Sequence, residues 1–233
     1  MDFEKFTLAA STADLSDEPA ARRHADIVEF RLDLSAVGVD ALETYEGDLP
    51  LLVTNRATWE GGKAPATADR LAELTKATTF EDVTAIDIEL EALDGEREHP
   101  VAVDQLLERA RTNDVSVVVS THDFDGTPPR PKLETLLTRA SEYGDVAKLA
   151  VTADARSDVL SLLTVTHELT KRGTTVATMA MGEPGRHSRA VAPLYGSKIG
   201  YAPVSPENAT APGQYDLETL RSLVTQLADG TYS

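Results

Sequence analysis

The chain has 233 residues, with 39 acidic against 22 basic side chains, 41% hydrophobic residues and no cysteine. The apolar fraction rules out wholesale disorder, and the missing cysteines exclude disulfide frameworks, thiolate metal sites and cysteine nucleophiles. A net charge of −17 offers no basic footprint for nucleic acid, and no apolar run approaches the roughly 18 residues a membrane span needs. Along the chain, short β-rich runs alternate with amphipathic stretches. Strands are predicted at 6–11, 27–34, 51–56, 85–90, 116–122, 146–151, 174–181 and 197–202. Helices are predicted between and after them at 17–26, 38–46, 65–80, 100–113, 131–143, 154–172, 187–195 and 215–228. Eight strands, each followed by a helix, argue for one α/β domain over residues 1–233, a (β/α)8 TIM barrel. The glycine-rich dinucleotide fingerprint that would favour an open doubly wound sheet is absent.

Strand parity points to a charged interior. Val28, Phe30, Leu32 and Leu34 share one face of the second strand, while Glu29, Arg31 and Asp33 share the other. The fourth strand separates Ile86, Ile88 and Leu90 from Asp87 and Glu89, and the sixth sets Ala147, Leu149 and Val151 against Val146, Lys148 and Ala150. A strand covered by helices needs its apolar face outward, so the charges point at the barrel axis. Unpaired charge there is costly, and active sites are where such cost is tolerated.

Several residues at strand ends suit catalysis. Lys148 lies within an apolar strand of a lysine-poor chain. It is either a strand-end lysine whose ammonium reaches solvent or a desolvated amine able to form an imine with a carbonyl. His122 closes the fifth strand, where a barrel carries its chemistry, and titrates in the range of a general base. Arg56 ends the third strand ahead of Glu60 and a glycine pair, offering a fork of donors for a carboxylate. After the seventh strand a glycine-rich loop leads to Arg186 and Arg189, either of which suits an anion. The remaining histidines form no metal-spaced pair, and neither a metal nor a cofactor is expected. Asp123-Phe124-Asp125-Gly126 mimics a calcium loop, but its glycine falls too early and prolines follow.

Taken in order, Glu29-Phe30-Arg31-Leu32-Asp33, Thr54-Asn55-Arg56 with Glu60-Gly61-Gly62, Ser120-Thr121-His122-Asp123-Phe124 and Ala147-Lys148 form an extended pattern. It continues through Met179-Ala180-Met181-Gly182 with Ser188-Arg189 and ends in Ala211-Pro212-Gly213-Gln214. The ordered set resembles type I 3-dehydroquinate dehydratase, the Schiff-base enzyme of the shikimate pathway and aromatic amino-acid biosynthesis. The resemblance implies that Lys148 forms an imine with the C3 ketone of 3-dehydroquinate. It implies that His122 removes the C2 proton and assists loss of the C1 hydroxyl by syn elimination, while Glu60 orients His122. Arg189 would clamp the substrate carboxylate. Glu29, Arg31, Arg56, Thr210 and Gln214 would hold its hydroxyls and the closing loop. A homodimer is also implied. Two departures stand out: Thr210 replaces the family's usual serine, and the 201–209 segment is longer than usual, which bears on how Tyr201 covers the site. The competing readings are a class I aldolase, which would leave Ser120-Thr121-His122 and Gln214 unexplained, and a non-catalytic carboxylate-binding barrel, which would have no need of both lysine and histidine.

Fifteen arginines against seven lysines, on a strongly acidic chain without a signal peptide, fit a halophilic archaeon's salty cytoplasm, where ionic strength screens self-repulsion. The melting temperature is therefore expected to rise from low to molar potassium chloride. A flat response across that range would contradict this reading.

Overall fold

The computed structural model describes residues 1, 3–94, 100–205 and 213–228. Eight parallel strands carry the alternation seen in the sequence: β1 (Thr7–Thr12), β2 (Ile27–Arg31), β3 (Leu51–Thr54), β4 (Val83–Glu89), β5 (Ser116–Asp123), β6 (Val146–Thr152), β7 (Val176–Met181) and β8 (Ile199–Pro203). They are ordered β7-β6-β5-β4-β3-β2-β1-β8. The ring closes loosely between β7 and β8 by a bridge from Val176 to Ser197. There the Lys198 amide donates to the Val176 carbonyl at 2.8 Å. The Ser197 hydroxyl accepts from the Thr178 amide at 2.9 Å, standing in for the missing ladder partner.

The helices are α1 (Glu18–Ala21), α2 (Ala68–Ala77), α3 (Leu90–Leu93), α4 (Pro100–Thr112), α5 (Arg130–Tyr143), α6 (Arg156–Lys171), α7 (Ser188–Val191) and α8 (Leu217–Ala228). The long ones start where local chemistry permits. Pro131 occupies the first turn of α5, and the Asp158 carboxylate reaches back to the Asp154 and Ala155 amides at the start of α6.

Five expectations are corrected. The predicted helix at 17–26 shrinks to α1, because the His24 and Ala25 amides both turn back to the Ala21 carbonyl. The helix at 38–46 is a 3-10 segment, Gly38–Thr44, and that at 187–195 is α7 followed by a 3-10 turn. The second strand ends at Arg31, where the backbone turns into a 3-10 segment, so Asp33 lies beyond the sheet. The fourth begins at Val83, two residues early, beside an irregularity between Leu51 and Leu52 of β3.

Parity behaves as the alternation requires. Val28, Phe30, Val53, Ile86, Ile88, Leu149 and Val151 pack outward against Leu71, Leu74, Leu106, Leu137 and Leu162 of the helices. Inside the barrel, Phe3, Ile27, Leu52, Ala85, Val118, Val146 and Ile199 form an apolar lower layer. That layer carries the burial energy of an ordinary core, so the C-terminal end of the strands is left to hold charge. There Ser11 pairs in register with Glu29, Thr54 with Asp87, Glu89 with Ser120, and Ser120 with Lys148.

Candidate active site

The charged layer opens into a cleft of about 550 Å³ lined by Glu29, Arg31, Arg56, Glu60, His122, Lys148, Arg189, Tyr201 and Gln214, with Met179 and Met181 as an apolar wall. The structure therefore gathers eight of the nine residues singled out from the sequence. The ninth, Thr210, lies outside the described residues.

Lys148 is buried, and its ammonium donates to Asp87 at 2.9 Å. It does not reach solvent along its stem. Its Nζ sits 4.2 Å from the centre of the Tyr201 ring, a cation–π contact that settles where Tyr201 lies: against the lysine, on β8. The Tyr201 hydroxyl is buried and has no hydrogen-bond partner among the described residues. Burial, reinforced by Asp87 and Glu29, raises it well above the usual phenol range and keeps it protonated.

Beneath the lysine runs a ladder of alternating charge. Arg56 donates to Asp87 at 2.6 Å, to Glu89 at 2.9 Å and to the Ser120 hydroxyl at 2.7 Å. Burial alone would raise the Asp87 carboxyl. Arg56 and Lys148, with the Ser120 hydroxyl, instead hold it well below the usual carboxylate range. Desolvation likewise opposes the charge on Arg56, but Asp87, Glu89 and Glu60 keep it firmly protonated. Arg56 thus has its donors committed to protein groups.

The Arg56 turn also delivers Glu60. A Cβ at Gly62 would lie 2.0 Å from the Arg56 carbonyl oxygen, and Gly61 adopts φ +77° with the Phe124 ring packed where its Cβ would be. The glycine pair therefore serves close approach of chain to chain. The fold it permits brings Glu60 within 2.7 Å of Nδ1 of His122. Burial, with Glu89, Asp87 and Glu91 nearby, pushes the Glu60 carboxyl up to about 8 against the pull of Arg56. Burial beside Arg56 and Lys148 lowers the His122 imidazole well below its usual range. The ring of Phe124 lies nearly parallel to that of His122, with centroids 6.3 Å apart.

Two arginines face the mouth differently. Arg31 is held by a two-pronged pair to Asp33, both contacts at 2.8 Å. Arg189 is buried, and its guanidinium has no ion pair or side-chain hydrogen bond among the described residues. Burial lowers it to about 10, still protonated at neutral pH. Arg186 stacks on Tyr215 at 4.2 Å instead of lining the cleft, so geometry favours Arg189 for an anion. The four-residue α7 is too short to act as a dipole site. Its Ser188 hydroxyl accepts from the Ala180 amide at 2.8 Å, fastening the loop to β7. Glu29 accepts from Thr54 at 3.0 Å and from Ser11.

Arg31, Arg56, Lys148 and Arg189 outnumber Glu29 and Glu60 among the residues lining the cleft, yet the cleft is not cationic on that account. Asp33, Asp87 and Glu89 offset Arg31, Lys148 and Arg56, leaving Arg189 as the lining cation without a counter-ion among the described residues. Asp87 and Glu89 carried a signal, their inward parity, but were not assigned a place in the site. Phe124 and Tyr201 gave only motif position.

This arrangement places an amine, an imidazole–carboxylate pair and an uncompensated guanidinium around one small cleft. The family model for type I 3-dehydroquinase matches residues 7–230. A 3-dehydroquinate dehydratase from Haloarcula marismortui is 56% identical over 97% of this chain and 98% of its own. One from Halobacterium salinarum is 51% identical over 97% of this chain and 100% of its own. Both come from halophilic archaea, in keeping with the acidic, lysine-poor composition. The crystal structure of 3-dehydroquinate dehydratase from Geobacillus kaustophilus superimposes with a TM-score of 0.83 at 27% identity, covering 98% of this chain and 93% of that one. The chain belongs to the type I 3-dehydroquinase family.

Proposed function

We propose that this chain dehydrates 3-dehydroquinate to 3-dehydroshikimate through a Schiff base on Lys148. The observation that carries the reading is the meeting of a buried lysine with a Glu60–His122 pair in a cleft where Arg189 is the lining cation without a counter-ion among the described residues. The Lys148 amine attacks the C3 carbonyl and water leaves, forming an iminium. His122 Nε2, the nitrogen not engaged by Glu60, takes the C2 proton. The electron pair runs into the iminium nitrogen, a sink that stabilises the developing carbanion. The resulting enamine expels the C1 hydroxyl, protonated by the same imidazole, and water then frees the lysine. Use of one imidazole for both transfers fits a syn elimination.

Arg189 is proposed to bind the carboxylate, since a substrate anion supplies the counter-charge that the protein withholds. Asp87 steadies the ammonium before reaction and the iminium after it. Arg56 contributes by ordering the carboxylates. Glu29, Arg31 and Gln214 are proposed to hold hydroxyls and the closing segment, together with Thr210. A homodimer in the cytoplasm belongs to the same proposal, resting on the family resemblance.

Borohydride added with substrate should leave a reduced adduct on Lys148, seen by intact mass and peptide mapping. Lys148→Ala should lose the adduct and nearly all turnover while remaining folded. Lys148→Arg should fail too, because a guanidinium stays protonated and cannot attack a ketone. Near-normal turnover in either variant would overturn the assignment, and the adduct mass separates a dehydratase from an aldolase.

The pair also sets a pH dependence. Below about 8, Glu60 carries a proton and donates it to Nδ1, so the ring's own proton sits on Nε2 and the base is blocked. Above that pH the ionised carboxylate accepts from Nδ1–H, and Nε2 is free. The kcat/KM profile should therefore climb about tenfold per pH unit to a plateau above about 8, reporting the free enzyme. In Glu60→Gln, whose amide does not titrate, that limb should disappear from this range. Its persistence would exclude Glu60 as its origin.

A further inference from the structure

Arg70 lies on α2, outside the barrel, yet its side chain is fully buried. The other buried positions of α2 are Leu71, Leu74 and Ala77, so an arginine among them carries a desolvation cost of several kcal/mol unless it is paired. Its partners lie at the catalytic end of the barrel. One guanidinium nitrogen is 2.8 Å from Glu89 Oε2 and donates to the Asn55 carbonyl at 2.6 Å. The guanidinium also lies 5.4 Å from the centre of the Trp59 ring. The Asn55 side chain returns the contact, donating to the Arg70 carbonyl at 3.2 Å and to Glu73 at 2.8 Å. Arg70 therefore grips both ends of the turn that holds Arg56 and leads to Glu60.

Glu89 shows what this grip does. Its Oε1 accepts from Arg56 at 2.9 Å and from the Ala57 amide at 3.0 Å, leaving Oε2 for Arg70. Without Arg70, Arg56 would be the one cation left for Glu89 among the described residues while also serving Asp87, which it shares with Lys148, and Glu60. We propose that Arg70 is a positioning residue for the proton-transfer pair, neutralising Glu89 from outside the barrel so that Arg56 remains shared with Asp87 and Glu60. This rests on the reading of Glu60 and His122 as the base. The groups facing Glu60 are Arg56 at 3.7 Å from the β3 turn, His122 from β5, Asp87 and Glu89 from β4, and Glu91 from α3. Among these, Glu89 is the one Arg70 neutralises, and an unneutralised Glu89 makes the Glu60 carboxylate harder to form.

The test is the pH profile of kcat/KM for Arg70→Met and Arg70→Lys beside the wild type. Arg70→Met keeps length and loses charge. It should move the ascending limb up by about one pH unit, a loss of about tenfold at neutral pH, while borohydride still traps substrate on Lys148. Arg70→Lys should bring the limb back toward the wild type. A limb unmoved in folded Arg70→Met would overturn the proposal and leave Arg70 a packing residue. Should that variant not fold, Glu89→Gln removes the carboxylate that Arg70 neutralises and should move the limb downward, and no movement there would also overturn it. Absence of the limb from the wild type would instead overturn the Glu60–His122 reading, and this proposal with it.

Discussion

Asp87 accepts hydrogen bonds from Arg56, Ser120 and Lys148 at the same time, and the arrangement of the site follows from satisfying that one buried carboxylate. A carboxylate in this layer is tolerated only with cations in contact, because desolvation would otherwise protonate it. Lys148 and Arg56 meet the need from opposite sides, one on β6 and one just past β3. Each is fixed by the bond it makes. Arg56 in turn requires Glu89, and Glu89 requires Arg70, so charge compensation spreads from the barrel axis to the helical layer. Below this layer the barrel is filled with apolar side chains, which leaves the strand ends free to hold groups of little packing value.

The ladder separates two kinds of chemistry. Lys148 belongs to Asp87, and His122 belongs to Glu60, with Arg56 touching both carboxylates. The proposed nucleophile and the proposed base are thus set by different partners, although they face the same cleft. Arg189 stands apart, buried without a counter-ion among the described residues. Among the described residues it is the lining cation whose counter-ion is missing, the place where a carboxylate-bearing substrate is proposed to bind.

Much of this was legible from the alternation of residues along each strand. Period-two patterns in β2, β4 and β6 placed Glu29, Asp87 and Lys148 on the axis, and strand-end position singled out His122 and Arg56. The short helices were less readable, since the segments at 17–26, 38–46 and 187–195 carry helical composition but close early as short turns through local backbone hydrogen bonds. The charge balance of the cleft was not legible for a related reason. Which carboxylate pairs with which cation depends on register between strands, and Asp87, Glu89 and Asp33 were each visible without their partners. Arg70 gave no local signal, because an arginine in an amphipathic helix ordinarily lies on the solvent face. Only the reach of its side chain over the end of β3 connects it to Glu89.

The separation of imine formation from proton transfer is tested most directly by His122→Ala, following exchange of the substrate C2 hydrogen in deuterated water alongside intact mass after borohydride. Lys148 keeps Asp87 in that variant, so the adduct should still form and accumulate. Exchange at C2 should slow by about two to four orders of magnitude, the usual worth of a positioned general base. Exchange at the wild-type rate would show that His122 is not the base, and failure to form any adduct would show that amine and imidazole act as one unit.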